Sequence, residues 1–530
     1  MSPSPAPDPA DWVARTADEA LAEHTARGAT GTLVCASGIS PSGPVHVGNL
    51  RELLTQHLVA AELTTRGVPV EHVLFWDDHD RLRRLPAGVP ARMGEHLGRP
   101  LAEVPDPDGA YPSWAERYAA PLRTALDRLG VRVREVGQSA RYGAGHYTGR
   151  VLAAMARRDE IAAVLGRTDP DWWPYRVYCR RCGRDDTRIT AYDVDTTALR
   201  YACGTCGPDG FRLADVNAGK LVWKVDWPMR WAAEPVCFEA AGGDHAAPTS
   251  SVGVGRRICR VVFGARPPAF LSYGFVGTRG VAKLSSSSGD APIPADALAI
   301  LEPAILRWLY ARRRPQQSIT VDFGTEVTRL YDEWDRLGSR VADGTAGPAE
   351  TQAYRRAAVP GLVAPRRPVS WRLLTSVLDV TAGDPAQTAR ILGLAEGAGV
   401  RLADVEPRRT LAATWLARHV PPERRTRVRA TPDAARLAAL TPDERAALDL
   451  LVAELPGCAD LTALTTLVYG IPKRRNGLAV DAPADDTVRT AQRSFFALVY
   501  RLLVGADTGP RLPTLLLALG PDRVRTLLTA

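Results

Sequence analysis

Apolar residues occur first as short unbroken runs and later at helical spacing, and that change of rhythm divides the chain. Residues 32–37 (TLVCAS) form a compact apolar run, the pattern of a strand buried on both faces. A loop rich in Gly, Pro and Ser follows over 38–48. From Asn49 onward, Leu50, Leu53, Leu54, Leu58 and Ala61 recur at helical spacing until Gly67 and Pro69 stop the helix. Residues 70–76 (VEHVLFW) predict a second strand that runs into the acidic loop 77–80. Strand, loop, helix, strand is the opening of an α/β nucleotide-binding domain.

Further along, 83–129 reads as a helical insertion, 131–136 as a third strand and 151–165 as a helix. Residues 172–215 are rich in Cys, Arg, Asp and Gly and predict a small metal-held module. Strand character returns at 221–227 and 236–240, a helix is expected around 256–262, and a strand around 270–275 precedes the Ser/Gly loop 285–289. Beyond Pro294 the pattern is mainly helical, with Pro/Gly breaks near 360–368 and 421–432. The predicted architecture is α/β. A Rossmann-like catalytic domain spans 1–320, with a helical insertion at 83–129 and a zinc-binding insertion at 170–215. A helical connector covers 321–375 and an all-helical domain 376–530. A length of 530 residues fits roughly three to four domains.

Composition sharpens this picture. At 45% hydrophobic the chain can bury several cores, and a net charge of +8 suits a polyanionic partner, although an Arg-rich composition alone gives the same sum. Lysine occurs at four positions, 220, 224, 283 and 473. In an otherwise Arg-based set of cations, each marks a place where a compact ammonium fits better than a planar fork. No apolar run approaches the ~20 residues of a membrane span, and the start of the chain lacks a basic, then apolar leader. A cytoplasmic protein without a membrane partner is expected.

Three constellations carry chemistry. The first is Ser37-Gly38-Ile39-Ser40-Pro41-Ser42-Gly43-Pro44-Val45-His46-Val47-Gly48-Asn49, set between a strand and a helix. Glycines permit close backbone approach, and a helix start offers free N–H groups and a positive dipole end to phosphate. His46 can donate to a phosphate oxygen as charge develops. The second, Lys283-Leu284-Ser285-Ser286-Ser287-Ser288-Gly289, offers hydroxyls, amides and one ammonium to a triphosphate. By itself a serine run is more often a linker. The third pairs Cys179-Arg180-Arg181-Cys182 with Cys203-Gly204-Thr205-Cys206. Two C-x2-C knuckles supply four thiolates to tetrahedral zinc and leave no open position, so a structural staple is expected rather than a catalytic ion. Cys35, Cys237, Cys259 and Cys458 lack such spacing and are expected as buried thiols.

Taken together, these motifs resemble the class I aminoacyl-tRNA synthetases, and most closely the class I lysyl-tRNA synthetases of archaeal type. His46-Val47-Gly48-Asn49 looks like the HIGH signature, with Asn in place of the second His as in class I lysyl enzymes. Lys283–Gly289 looks like a degenerate KMSKS loop, which in class I lysyl enzymes usually reads K-M-S-S-S-K-G. Residues 76–86 look like that family's W-D-D-x-D-x-x-R-K-V-P segment, 223–231 like W-x-x-D-W-P-x-R-W, and 242–246 like G-x-D-H-A. Gly509-Pro510-Arg511-Leu512 fits its closing helices. The likeness runs from about residue 10 to the end.

This resemblance implies ATP with Mg2+, lysine and lysine tRNA as substrates and partners, and a monomer. It implies lysyl-adenylate formation followed by transfer to a tRNA 2′-hydroxyl. By resemblance His46, Asn49, Lys283, Ser285 and Ser286 act on the triphosphate, with Pro41, Gly43 and Gly48 beside it. Gly38, Ser40, Asp77, Trp227, Asp244, His245 and Tyr273 are implied around the amino acid, and Cys179, Cys182, Cys203 and Cys206 around structural zinc. The helical C-terminal half is implied to read the anticodon. The stretch Lys473-Arg474-Arg475-Asn476 suits phosphates or a solvated face. Three departures stand out: Ser288 for the second lysine, Ser40 for the family's Thr, and Gly274 for its Glu. Losing a phosphate clamp costs on the order of 3 kcal/mol of transition-state stabilisation, and Arg279 is a candidate substitute. These departures keep open a paralogue with another amino acid or a biosynthetic or resistance role, and a tRNA-binding protein without catalysis.

Overall fold

The computed structural model describes residues 11–86, 88–247, 249–278, 284, 291–397 and 399–529. The chain forms two compact units. One gathers Met1–Leu298, Pro303–Asp322 and Arg340–Leu362. The other gathers Ala299–Glu302, Phe323–Ser339 and Val363–Ala530.

The first unit is built on a five-stranded parallel sheet. Its strands are β1 (Leu33–Ile39), β2 (Val70–Trp76), β3 (Arg134–Gly137), and two later strands, Val236–Gly242 and Ala269–Tyr273. In between come β4 (Tyr175–Val177), β5 (Thr187–Tyr192), β6 (Ala198–Cys203), β7 (Gly207–Arg212) and β8 (Gly219–Leu221), which makes the two later sheet strands β9 and β10. The sheet order is β10-β9-β1-β2-β3, so β1 is central and the chain reverses direction of growth beside it. All of β9 and nearly all of β1 are buried, as the unbroken apolar runs predict. Helix α1 (Trp12–Ala26) starts at Asp11, whose carboxylate accepts the N–H groups of Val13 and Ala14. Helix α2 (Leu50–Thr65) buries Leu50, Leu53, Leu54 and Leu58.

Several expected elements differ. Among its described residues the 83–129 stretch holds one α-helix, Trp114–Arg128, preceded by the 3-10 turns Ala91–His96 and Leu101–Glu103. The 151–165 helix is two, Thr148–Ala156 and Arg158–Leu165, broken at Arg157. The strand expected at 221–227 ends at Leu221, and Trp223–Ala233 is a helix. Trp223, Trp227 and Trp231 recur every fourth residue there, and Asp226 and Arg230 form an i,i+4 pair. That spacing outweighs the strand preference of tryptophan. The cysteine module is a three-stranded antiparallel sheet, β5-β6-β7, beside the β4–β8 pair.

In the second unit, helices Pro442–Glu454, Leu461–Arg475, Asp486–Val504 and Leu512–Leu528 close on one core that includes Leu451, Val468, Ile471, Val499, Leu503 and Leu515. Side chains of Thr441, Asp460 and Asp485 cap three of them. Arg408 is buried in this unit, bonded to Glu302 at 2.6 Å and to both oxygens of Asp335. Among the described residues no helix is long and apolar enough to cross a membrane.

Candidate active site

The carboxyl ends of β1, β9 and β10 and the head of α2 enclose a cavity of about 240 Å3. Open parallel sheets place their binding crevices at this end. Gly38, His46, Gly48, Asn49, Trp227, Asp244, His245 and Tyr273 all line it, so one cleft unites residues spread over more than half of the α/β unit.

The His46 loop is held from three sides. Asn49 Oδ1 accepts the His46 N–H at 3.1 Å, the Tyr310 hydroxyl donates to the Val47 carbonyl at 2.7 Å, and the Val47 N–H donates to the Pro292 carbonyl at 2.8 Å. Glycine is required at 48, since a Cβ there would lie 2.7 Å from the His46 ring. Leu284 is buried on the same cleft and its N–H donates to the Val276 carbonyl at 3.0 Å. The chain therefore returns to the His46 loop one residue after Lys283. Lys283, Ser285, Ser286, Ser288 and Arg279 lie outside the described residues.

Two carboxyl groups in the cleft were not singled out by sequence. Glu52 Oε1 accepts the Gly38 N–H at 2.6 Å, and its Oε2 accepts the Tyr273 hydroxyl at 3.1 Å. Burial, reinforced by the nearby charges of Glu239 and Asp77, pushes Glu52 up to about 8 against the pull of those two donors. A cation set against it would bring that value back down and be held strongly. Glu239 lies in the middle of β9 and accepts both the Trp227 indole, at 2.9 Å, and the Trp231 indole. Burial pushes it up to about 7. With its indole fixed in this way, Trp227 stacks on Trp223 at 5.0 Å and meets His245 edge-on at 5.6 Å, forming an aromatic wall. A buried acid inside an apolar strand needs such donors, which is the signal that could have found Glu239. For Glu52 the signal is an acid in the first turn after His46-Val47-Gly48-Asn49.

Behind the wall lies a buried ion network. Arg230 pairs with Asp77 at 2.5 Å and with Asp226. Asp226 also accepts the Tyr142 hydroxyl and sits 3.6 Å from Lys220 Nζ, which reaches Asp80 at 2.6 Å. The acidic loop 77–80 and the tryptophan-rich helix are thus two halves of one electrostatic unit. Asp77 is buried against Arg230, which lines the cavity, while Asp77 itself does not. Ser40 is exposed, Pro41 and Gly43 are buried, and none of the three lines the cavity. At Gly274 a Cβ would meet the backbone of 316–318 at 2.7–2.9 Å. Arg51 fixes that backbone by donating to the carbonyls of Arg314 and Pro315 at 2.9 and 2.8 Å. Two of the three departures from the family pattern, Ser40 and Gly274, therefore sit off the cavity lining.

The four paired cysteines come together, with sulfurs within 4.8 Å of one another and Cys182 to Cys203 at 3.8 Å. Four bonds of ~2.3 Å to a tetrahedral zinc place sulfurs ~3.8 Å apart, so the cluster fits such an ion. Cys35, Cys237 and Cys259 are buried, Cys458 is partly buried, and all are reduced.

The sequence model of a family described as tRNA synthetases class I (K) matches residues 10–359, and the chain belongs to that family. A Streptomyces coelicolor protein named "Lysine--tRNA ligase" is 47% identical, covering 98% of this chain and 98% of that one. A Pyrococcus horikoshii protein of the same name is 31% identical over 96% of this chain and 97% of its own. One from Treponema pallidum is 29% identical over 93% and 94%.

Proposed function

We propose that this chain is a lysine–tRNA ligase that forms lysyl-adenylate from lysine and ATP and transfers the lysyl group to lysine tRNA. The observation that carries this reading is the single cleft where the His46 loop, the chain beside Lys283 and the buried carboxyl of Glu52 meet. Near-full-length identity to proteins of that name supports it.

In this reading His46 and Asn49, at the head of α2 and the positive end of its dipole, hold the ATP phosphates, while Pro41, Gly43 and Gly48 let the backbone come close. Lys283, Ser285 and Ser286 close over the triphosphate from the other side. Mg2+ carried with ATP neutralises charge on the phosphates. Lysine lies against Gly38, Trp227, Asp244, His245 and Tyr273, with its ammonium on Glu52. Ser40 and Asp77, which the resemblance also implies near the amino acid, are not among the residues lining the cavity. The lysine carboxylate oxygen bonds to the α-phosphorus as the bond to pyrophosphate breaks. The 2′-hydroxyl of the terminal adenosine then takes the lysyl carbonyl, and AMP leaves. Catalysis is positioning and charge stabilisation. Cys179, Cys182, Cys203 and Cys206 hold a structural zinc, the helical unit over 376–530 reads the anticodon, and the protein acts as a cytoplasmic monomer.

Charging of total tRNA with each standard amino acid in turn tests this. Attachment of lysine alone is expected. Attachment of another amino acid, or tRNA binding with no adenylate formed, would overturn it.

A further inference from the structure

The helical unit is basic in two places that behave oppositely. Lys473, Arg474 and Arg475, the tract that stands out in the sequence, are spent internally. Lys473 Nζ donates to the Val480 carbonyl at 2.7 Å, Arg474 grips Glu454 through two bonds of 2.9 Å, and Arg475 reaches Asp443 at 2.6 Å. The segment 418–430 (RHVPPERRTRVRA) carries five arginines and one histidine against a single acid, Glu423.

This segment is tied down as a strap. The Thr426 N–H and hydroxyl bond the Asp379 carboxylate at 3.1 and 2.5 Å. The Arg429 N–H donates to the Leu503 carbonyl at 2.8 Å, its Nε donates to the Arg501 carbonyl at 3.2 Å, and its own carbonyl accepts from Arg523 at 2.8 Å. Arg427 lies between these anchors and Arg424 two residues before the first; both are exposed, and among the described residues their guanidinium groups have neither a hydrogen bond nor an ion pair. Three residues of extended chain put their Cα atoms within about 10 Å of each other. A guanidinium fork matches phosphate geometry, and a pre-anchored backbone reduces the ordering cost of binding.

We infer that the strap is a phosphate-binding edge, with Arg424 and Arg427 each taking a phosphate of the tRNA backbone. The inference rests on the reading that this chain charges tRNA. An acidic protein partner, the other candidate for such an edge, is an outcome of the test.

The test uses the full chain and fluorescently labelled tRNA, titrated over salt from about 0.05 to about 0.3 M. The wild type is compared with the double variants R424Q/R427Q and K473Q/R475Q. R424Q/R427Q should lower the slope of log affinity against log salt by about two and weaken binding roughly tenfold at about 0.15 M salt. Because backbone contacts carry no sequence information, the loss should be equal for other tRNAs. Its kcat at saturating tRNA and its KM for lysine should stay unchanged. K473Q/R475Q should keep the wild-type slope. Wild-type affinity and slope in R424Q/R427Q would overturn the inference and leave the edge to a protein partner, while weaker binding with an unchanged slope would overturn the phosphate assignment. Failure of the wild type to bind any tRNA would instead strike at the proposed function itself.

Discussion

The α/β unit and the helical unit handle their cations in opposite ways. Around the cleft, Arg230 and Lys220 are withdrawn from water and matched with Asp77, Asp226 and Asp80, so the charge serves geometry. On the helical unit, Arg424 and Arg427 face solvent from an anchored strap, so the charge remains available to a partner. A buried pair repays its desolvation only when every member is satisfied, whereas an exposed cation costs little and does little until an anion arrives. A motif of charged residues therefore says nothing about its role until its burial and its partners are known.

The largest expected effect lies in the buried network. Arg230→Ala should destabilise the α/β unit by about 3–5 kcal/mol, because it strands the buried Asp77 carboxylate and leaves Asp226 with only Tyr142 and Lys220. Urea denaturation measures this, and a loss below about 1 kcal/mol would mean the network does not hold the cleft. Next comes the metal. The protein should carry about one zinc per chain, and chelation should strip hydrogen-exchange protection from β5, β6 and β7 while the Leu461–Arg475 and Asp486–Val504 helices keep theirs. Uniform loss of protection, or none, would contradict a zinc that staples the module alone. The surface pair Arg424 and Arg427 lies at the small end for stability, and its substitution should be read in tRNA affinity rather than in melting.

Much of this was legible in the sequence, for reasons that can be named. Strands β1, β2 and β9 announce themselves because parallel strands covered on both faces carry mainly apolar runs. The His46 loop and the cysteine pairs are visible because their chemistry is local: a glycine must sit beside the His46 ring, and knuckle spacing is set within each pair. Glu52 and Glu239 were missed because the burial of an acid is decided by what packs over it. The Trp223–Ala233 helix was misread because tryptophan and proline weigh toward strand and turn, although the fourfold spacing was present. The basic tract at 473–475 looked available because its partners are remote, Glu454 lying 20 positions and Asp443 32 positions from the arginines they pair with.

The proposed lysine site sets the substrate ammonium on Glu52, in the cleft that also holds His46. Burial raises Glu52 to about 8. Below that pH it must release its proton for the ammonium to dock, so binding should tighten with rising pH and level off near 8. Calorimetric titration of lysine between about pH 6 and about pH 9 measures this directly. Affinity should climb by up to about tenfold per pH unit, with proton release on binding, and Glu52→Gln should bind on the order of thirtyfold more weakly with that climb abolished. Tight lysine binding by Glu52→Gln with the wild-type pH profile would contradict the account.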